Sequence, residues 1–505
     1  MALVIDAWRV SMLRSHEYSL WSAIAELPRV SRGLRGVLPG DMVYFEQASA
    51  SFILWLEQQG TTVTNKIELV DLRLRGAGRG VVATQNIGED DKLFSVPRSA
   101  MLTIQNSKLP DDIKAQLKDP WLGLIVAMIY EDQQGADSQW KAYFDVLPTT
   151  FDTLMFWSDE ELQWLHGSAV ANKIGRDSAD AAFKDRVLPL IRAHPGVFKL
   201  SDSSDDNIVQ ICHRMGSIIM AYAFDIETPE SENEQKEGED GWEEDDMENQ
   251  QKGMIPLADI LNADADRCNA KLYYEDDKVT MKAIQPIAAG DEIFNDYGPL
   301  PTADVLRRYG YTTANYAQYD VVEISLEDIK LAAKHVTKFD EVELEARLQY
   351  LESQDSVDTA YDIARPSQED VQQFPDELCI VVNILTLPQT EFEQMKKREK
   401  MLKPTLSIGG TKVLSQVMVA RLQQYLQSGQ IIHHTYDEPD VMDGGEQNPR
   451  RKAMALQVIG GEVEVLRLAM SVLDASVDNL VDGAGPKRKA ANDEASSPTI
   501  KRNKQ

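Results

Sequence analysis

Cysteine is nearly absent from this chain. Cys212, Cys268 and Cys379 are its only three, far apart in 505 residues. Three scattered thiols exclude a disulfide framework and fit a reducing compartment. No Cys-x-x-Cys pair occurs, so neither a structural zinc cluster nor any other metal site is expected. No apolar run reaches the roughly 18 residues a membrane-spanning helix needs, so no membrane partner is expected. Positive charge is the minority: 52 Lys and Arg stand against 82 Asp and Glu, a formal net charge of −30. An acidic surface repels phosphates, which argues against direct nucleic-acid binding and suits a basic protein partner.

What is present suffices for a globular protein. Hydrophobic residues make up 43% and aromatics 7%, enough for a sizeable core. The length suggests two to four domains of about 150 residues each. Residues 1–41 hold five arginines (Arg9, Arg14, Arg29, Arg32, Arg35) and no lysine. A mitochondrial transit peptide is basic but poor in acids, and Asp6, Glu17 and Glu26 argue against one. A disordered extension over 1–44, or a chain start nearer Met42, is the competing expectation. From Phe45 the pattern is globular. Phe52, Trp55 and Leu56 fall at i, i+3, i+4 and predict an amphipathic helix ended by Gly60. Short strands are expected at Ile67–Leu69, Val81–Ala83 and Leu93–Val96, set apart by glycines and charges.

Residues 105 to about 225 read as mostly helical, with Trp121–Tyr130 and Ile208–Phe224 the strongest apolar stretches. Between Asp225 and Glu248 stand thirteen acids and one lysine, Lys236. Such a run repels itself and buries too little to fold, so a disordered loop is expected at about 226–252. Lys271–Tyr274 and Val279–Ala283 predict two strands joined by a turn at Glu275-Asp276-Asp277. Beyond residue 320, Met418, Leu422, Tyr425 and Leu426 form one helical face, and Val465, Leu468, Ala469 and Val472 another. The tail from 483 is polar. Its clusters Lys487-Arg488-Lys489 and Lys501-Arg502-Asn503-Lys504 suit a bipartite nuclear import signal, so a nuclear location is expected, with the cytoplasm open.

Three short segments could carry chemistry. Arg75-Gly76-Ala77-Gly78-Arg79-Gly80 places three glycines before a strand, which permits a tight turn and close approach of backbone to a ligand. Neither phosphate-loop fingerprint occurs there, and a plain hairpin turn is the alternative. Ile255-Pro256-Leu257-Ala258-Asp259-Ile260-Leu261-Asn262-Ala263 would bury Asp259 and Asn262, which then need partners from backbone or ligand. Phe294-Asn295-Asp296-Tyr297-Gly298, followed by Tyr309, Gly310 and Tyr311, puts a phenol at a bend.

In this order and spacing the three segments resemble the signature elements of the SET-domain protein lysine methyltransferases. Trp140-Lys141-Ala142-Tyr143-Phe144 with Leu147-Pro148, and Arg451-Lys452-Ala453-Met454-Ala455 with Gly461-Glu462, resemble its Rubisco large-subunit methyltransferase branch, which includes fungal ribosomal and animal members. The resemblance spans about Phe45 to Leu480. It implies an α+β chain. A SET fold of short β-sheets over 45–311 carries an inserted helical subdomain at about 105–225, and an all-α C-terminal substrate-binding domain follows over 320–482. It implies S-adenosyl-L-methionine as cofactor and a protein lysine as acceptor, with a basic segment of a ribosomal protein as the expected substrate. By motif position, Tyr297 is the catalytic residue. Ala77, Gly78, Arg79, Gly80, Tyr222, Asn262, Ala263 and Tyr309 would meet the cofactor, and Trp140, Ala223 and Asp225 the substrate. Most of the family has histidine where this chain has Ala263, which matters only if the ring is used. An inactive SET-like scaffold that binds a basic protein, or a histone methyltransferase, stays open at this point. So do the target lysine, the number of methyl groups and the oligomeric state.

Overall fold

The computed structural model describes residues 39–73, 77–226, 251–366, 374–398, 401–427 and 448–482. The extension up to residue 38, Arg75 and Gly76 of the glycine turn, the acidic run from 227 to 250 and the basic tail lie outside the described residues. By internal packing the chain forms two compact units. One is Met1–Val322 with Leu422–Glu464, the other Glu323–Arg421 with Val465–Gln505.

In the first unit, helix α1 runs from Pro39 to Gln58, so the expected boundary at 44/45 falls inside it. Proline suits the first turn, where its missing N–H is not needed. Phe45, Ala48, Phe52, Trp55 and Leu56 form its buried stripe. The Trp55 indole donates to the Gln139 carbonyl at 2.6 Å, fastening α1 to the inserted segment. Gly60 closes the helix at φ +84°, a conformation that glycine adopts readily.

Short antiparallel sheets follow. Strands β1 (Thr62–Val63), β2 (Ile67–Asp71), β3 (Arg79–Ala83) and β4 (Lys92–Pro97) come before the insert. β5 (Ala223–Asp225), β6 (Lys252–Met254), β7 (Ala270–Tyr274), β8 (Lys278–Ala283) and β9 (Glu292–Ile293) come after its main helices. The sheet orders are β1-β4-β8-β7, β2-β3-β9 and β5-β6. The β7–β8 hairpin turns at the expected residues, with Glu275 N–H on the Lys278 carbonyl at 2.9 Å.

The insert is built on α2 (Pro120–Gln134) and α3 (Asp205–Tyr222). Asp119 caps α2 by accepting from the N–H groups of Trp121 and Leu122, the preferred chemistry at a helix start. Glu131 is fully buried but satisfied: it accepts from the Ser107 and Ser138 hydroxyls and the Lys108 N–H. Helix α3 ends at Tyr222, and residues 223–225 pair with β6 instead of continuing the expected helix to Phe224. The Ile226 N–H meets the Gln251 carbonyl at 2.7 Å, so both ends of the acidic loop belong to this ribbon. Helix α4 (Thr302–Tyr309) follows the sheets.

The second unit holds α5 (Leu326–Thr337), α6 (Glu341–Ser353), α7 (Asp376–Thr386) and α8 (Gln389–Arg398). An all-α domain is the expectation over 320–482, and the unit departs from it by one pair of strands. Strands β10 (Val321–Ser325) and β11 (Ala360–Ala364) pair, burying Val322, Ile324, Tyr361 and Ile363 in the period-two pattern of a half-buried strand. Helices α9 (Ile408–Gln427) and α10 (Pro449–Asp482) each contribute to both units. Residues 422–464 belong with the first unit for a physical reason. Met454, Ala455 and Val458 bury against Leu154, Trp157, Leu165 and Leu306, while Arg451 donates to Asp152, to Glu161 and to the Phe151 and Phe156 carbonyls.

Candidate active site

The glycine turn joins β2 to β3, with Asp71 opposite Arg79 and Val70 opposite Gly80. The two glycines serve different ends. A Cβ on Gly80 would run into Leu72 Cδ1 and stand 2.9 Å from Glu292 Oε1 and 3.1 Å from Asn262 Nδ2, so side chains of three segments crowd there and would have to shift to admit one more. Among the described residues, a Cβ on Gly78 would meet nothing within 4 Å, which leaves that face of the turn open to them. Asn262 is the tie at the crossing. Its amide nitrogen donates to Glu292 Oε1 at 2.7 Å and to the Arg79 carbonyl at 3.3 Å. Both amide hydrogens are thereby engaged, which leaves Oδ1 and the backbone for any further contact.

The second and third segments run side by side. Ala263 and Asn295 form a parallel bridge, with the Asn295 N–H on the Asn262 carbonyl at 2.8 Å. Asp264, buried behind them, accepts from Asn315 Nδ2, from the backbone N–H groups of Asp266 and Arg267 and from the Arg267 guanidinium. Asn269 accepts from the Phe294 N–H and donates to the Glu292 carbonyl. Ala263 is buried, yet its N–H makes no hydrogen bond among the described residues.

Gly298 sets the position of Tyr297. It takes φ +79°, and its N–H is held by Asp296 Oδ1 at 2.7 Å. The Tyr297 ring lies flat on Tyr309, with centroids 4.0 Å apart and planes inclined by 6°. Tyr309 ends α4, where Gly310 takes φ +75° and packs so tightly on Asp152 and Thr153 that a Cβ would stand 2.7 Å from the Thr153 nitrogen. Tyr311 donates to the Ala263 carbonyl at 3.4 Å. The Tyr222 and Tyr316 phenols complete a five-tyrosine cluster. Burial holds the Tyr297 phenol well above its ordinary value, and the neighbouring Tyr311, Tyr309, Tyr222 and Tyr316 add to this. Burial pushes Tyr309 up to about 12. It pushes Tyr222 up to about 12 as well, helped by the charge of Asp259.

Asp259 adjoins this cluster through its charge on Tyr222. It is buried and accepts a short hydrogen bond from the Tyr143 hydroxyl. Leu257, just before it, takes φ +80°, a strained conformation for a branched side chain.

Of the residues expected to meet substrate, Ala223 and Asp225 follow Tyr222 on β5 and are half-buried. Asp225 is paired with Lys252 at 2.7 Å, and its carbonyl accepts from Tyr274 at 2.8 Å. Trp140 does not join them. Its side chain is sealed in the core, and its indole donates to the Ala100 carbonyl at 3.0 Å, so it has no surface to offer a substrate. Glu292, Asp264, Tyr143 and Tyr316 went unassigned in the sequence. Their signal is a long-range hydrogen bond or contact, which no local pattern carries.

Phenols with raised pKa values stay protonated at neutral pH, so this site offers hydrogen-bond donors and aromatic faces. Aromatic faces attract cationic groups, and desolvation disfavours an ammonium relative to the neutral amine. Among the described residues no His, Cys, Asp and Glu grouping could hold a metal.

Residues 78–298 match the SET domain. Over 478 residues the chain is 31% identical to Ribosomal lysine N-methyltransferase 4 of Saccharomyces cerevisiae, covering 87% of this chain and 94% of that protein. It is 29% identical over 342 residues to N-lysine methyltransferase SETD6 of Homo sapiens, covering 64% and 67%. Among solved structures, Rubisco LSMT bound to sinefungin and monomethyllysine matches with a TM-score of 0.58 at 18% identity, covering 86% of this chain and 93% of that one. Rubisco LSMT bound to AdoMet matches at 0.56 and 19%. At such identities the likeness is one of fold.

Proposed function

This chain belongs to the SET-domain protein lysine N-methyltransferases, and from that premise we propose that it methylates a lysine in a basic segment of a ribosomal protein, with S-adenosyl-L-methionine as methyl donor. The observation that carries the chemistry is the Tyr297–Tyr309 stack, two residues beyond the Ala263–Asn295 bridge, with the glycine turn tied to the same segment through Asn262. The ribosomal substrate is supported by the 31% identity to the yeast ribosomal lysine methyltransferase over 94% of its length. The −30 charge of the chain suits a basic substrate.

The residues present fit the cofactor. The unused Ala263 N–H is a buried donor that needs an acceptor, and the face at Gly78 that the described residues leave open gives a ligand access to the turn backbone. Ala77, Gly78, Arg79 and Gly80 would hold the cofactor by backbone groups, Asn262 and Ala263 by Oδ1 and N–H, and Tyr222 and Tyr309 by their rings. When bound, S-adenosylmethionine supplies an electrophilic methyl group on a sulfonium. A lysine amine is mostly protonated at neutral pH, its ordinary pKa being about 10.4. The tyrosine cluster disfavours that charge by desolvation. Tyr297, protonated throughout, acts through its hydroxyl as an orienting hydrogen-bond partner and not as a general base, and orientation supplies much of the rate. Ala223 and Asp225 on β5 would meet the substrate chain. The two basic clusters of the tail support a nuclear location, which a fluorescent fusion with and without residues 483–505 tests.

The deciding experiment is methyl transfer from isotope-labelled S-adenosylmethionine to an extract of cells that lack this protein, with labelled peptides identified by mass spectrometry. A labelled lysine in a ribosomal protein, absent with Tyr297→Phe, is the expected result. Label confined to histones or other non-ribosomal proteins would overturn the ribosomal assignment.

A further inference from the structure

Tyr309 ends α4, and what fixes that end lies outside the site itself. Gly310 closes the helix at φ +75°, with its N–H on the Leu306 carbonyl at 3.0 Å. A Cβ there would stand 2.7 Å from the Thr153 nitrogen and 2.9 Å from the Asp152 carbonyl carbon. Both neighbours are backbone, an approach that glycine permits, so α4 ends against Asp152-Thr153 as against a seat. Arg451, at the start of α10, holds that seat. Its Nε donates to Asp152 Oδ1 at 3.1 Å and its Nη2 to the Phe151 carbonyl at 3.0 Å. Its Nη1 donates to the Phe156 carbonyl at 2.9 Å and to Glu161 Oε2 at 2.7 Å. One planar fork thus ties both ends of the segment 151–161, while Arg176 holds its middle through the carbonyls of Leu154, Met155 and Trp157. Arg450 reaches the same carboxylate, from Nε to Asp152 Oδ2 at 3.3 Å, but its side chain is 46% exposed against 14% for Arg451.

The consequence reaches the reaction through the tyrosine stack. Tyr297 lies on Tyr309 with ring centroids 4.0 Å apart, which is contact distance, so a slide or tilt of Tyr309 is felt at Tyr297. A misplacement of about 1 Å caused far from the chemistry can cost about a hundredfold in rate. The hydrogen bonds of Arg451 go to none of the residues assigned above to cofactor or substrate. We propose that Arg451 is a positioning residue for methyl transfer: from α10 it fixes the seat of Gly310, and through it the Tyr309 ring on which Tyr297 lies. The effect on rate rests on the role given to Tyr297; the placement of Tyr309 does not.

The placement is read by fluorine NMR on the full chain with 3-fluorotyrosine set at position 309 alone. Arg451→Lys keeps the charge but cannot hold four acceptors from one fork, so the line of residue 309 should move by more than its width. The same label at Tyr130, which packs on Phe198, should stay in place. In the unlabelled variant, the initial rate of methyl transfer from saturating S-adenosylmethionine into the extract of cells that lack this protein should fall about ten- to hundredfold. Arg450→Lys should leave the line in place and the rate within about twofold. If Arg451→Lys does not fold, Asp152→Asn, which weakens the ion pair and keeps an acceptor oxygen, is read in the same two ways. An unmoved line at 309, a moved line with an unchanged rate, equal movement at 130, or the same changes in Arg450→Lys would each overturn the proposal. A parent protein that transfers no methyl group overturns the functional reading instead, and the fluorine line still decides the placement.

Discussion

The Arg79 guanidinium stands over the Phe45 ring, 3.9 Å from its centroid. Arg73 lies 4.4 Å from the same centroid. Arg79 also donates from Nε to the Ser49 hydroxyl at 3.1 Å and from Nη1 to the Val146 carbonyl at 2.7 Å. Burial draws its pKa down to about 10, which keeps it charged at neutral pH. Phe45 and Ser49 belong to α1, outside the residues that match the SET domain. The side chain between Gly78 and Gly80 therefore anchors the turn to a helix outside the matched residues.

That anchor should be felt in cofactor binding and not in the chemical step. Arg79→Lys keeps the charge but loses the planar fork, and should cost about 1–2 kcal/mol of stability. Arg79→Met should also weaken S-adenosylmethionine binding about tenfold, with kcat at saturating cofactor held within about twofold. Calorimetry and steady-state rates separate the two effects. An unchanged cofactor Kd in Arg79→Met would show that the turn holds without the anchor.

Tyr297→Phe removes one hydroxyl and leaves the stack on Tyr309. Turnover should fall by about two orders of magnitude or more, the scale of a lost orienting group, while cofactor affinity stays within about twofold. Because burial and four neighbouring phenols hold Tyr297 protonated, the rate should show no inflection from this group below about pH 10. A variant that turns over normally would remove Tyr297 from the mechanism.

Asn262 ties Glu292 to the Arg79 carbonyl. Asn262→Ala deletes that tie beside the turn, and should weaken S-adenosylmethionine binding by roughly ten- to hundredfold, the equivalent of about 1.4–2.8 kcal/mol. Glu292→Gln keeps the acceptor oxygen without its charge and should lose less. Equal affinities in all three proteins, read by titration, would mean that the crossing is held by packing alone.

The sequence carried the three signature segments because each is local: a glycine turn, an Asp-x-x-Asn run and a Tyr-Gly bend declare themselves within a few residues. What holds them together was hidden by distance along the chain. Asp264 meets Asn315, and Arg451 meets Asp152 about three hundred positions away, which no periodicity reveals. Val321–Ser325 does alternate as a strand should, but its partner Ala360–Ala364 lies beyond two helices, and the surrounding helical pattern masked it. Trp140 shows the opposite failure. An aromatic in a helical insert has the same sequence signature whether it lines a groove or, as here, fills a core.

The Ile226 N–H to Gln251 carbonyl bond at 2.7 Å brings the two ends of the acidic run together at the close of the β5–β6 ribbon. A turn of four or five residues can bridge ends so placed. Replacing residues 227–250 with such a Gly/Ser turn should leave the Tm within a few degrees and S-adenosylmethionine binding unchanged. A fall in Tm well beyond the roughly 2–4 °C that 1 kcal/mol produces in a large domain would show that the run packs on the fold.

Asp259 makes stability depend on pH in a direction opposite to that of an ordinary paired carboxylate. Burial raises its pKa from 3.8 to about 7, even though the Tyr143 hydroxyl bond favours the charged form. The folded protein thus holds a proton that the unfolded chain has already lost once the pH passes about 4. Stability should therefore fall as pH rises from about 4 to about 7, by at most about 1.4 kcal/mol per pH unit and about 4 kcal/mol in all. Below this window the group contributes no slope, and above it the loss is complete. Asp259→Asn is uncharged at every pH and nearly the same shape, so its stability relative to the parent should climb across the window. Tyr143→Phe removes the donor that favours the carboxylate, so it should extend the window to higher pH. Urea unfolding of the three proteins at about pH 4.5, 6 and 7.5 reads these differences against the background of all other titrating groups, which the proteins share. Parallel stability curves for the parent and Asp259→Asn would show that Asp259 ionises in the folded protein as readily as in the unfolded chain.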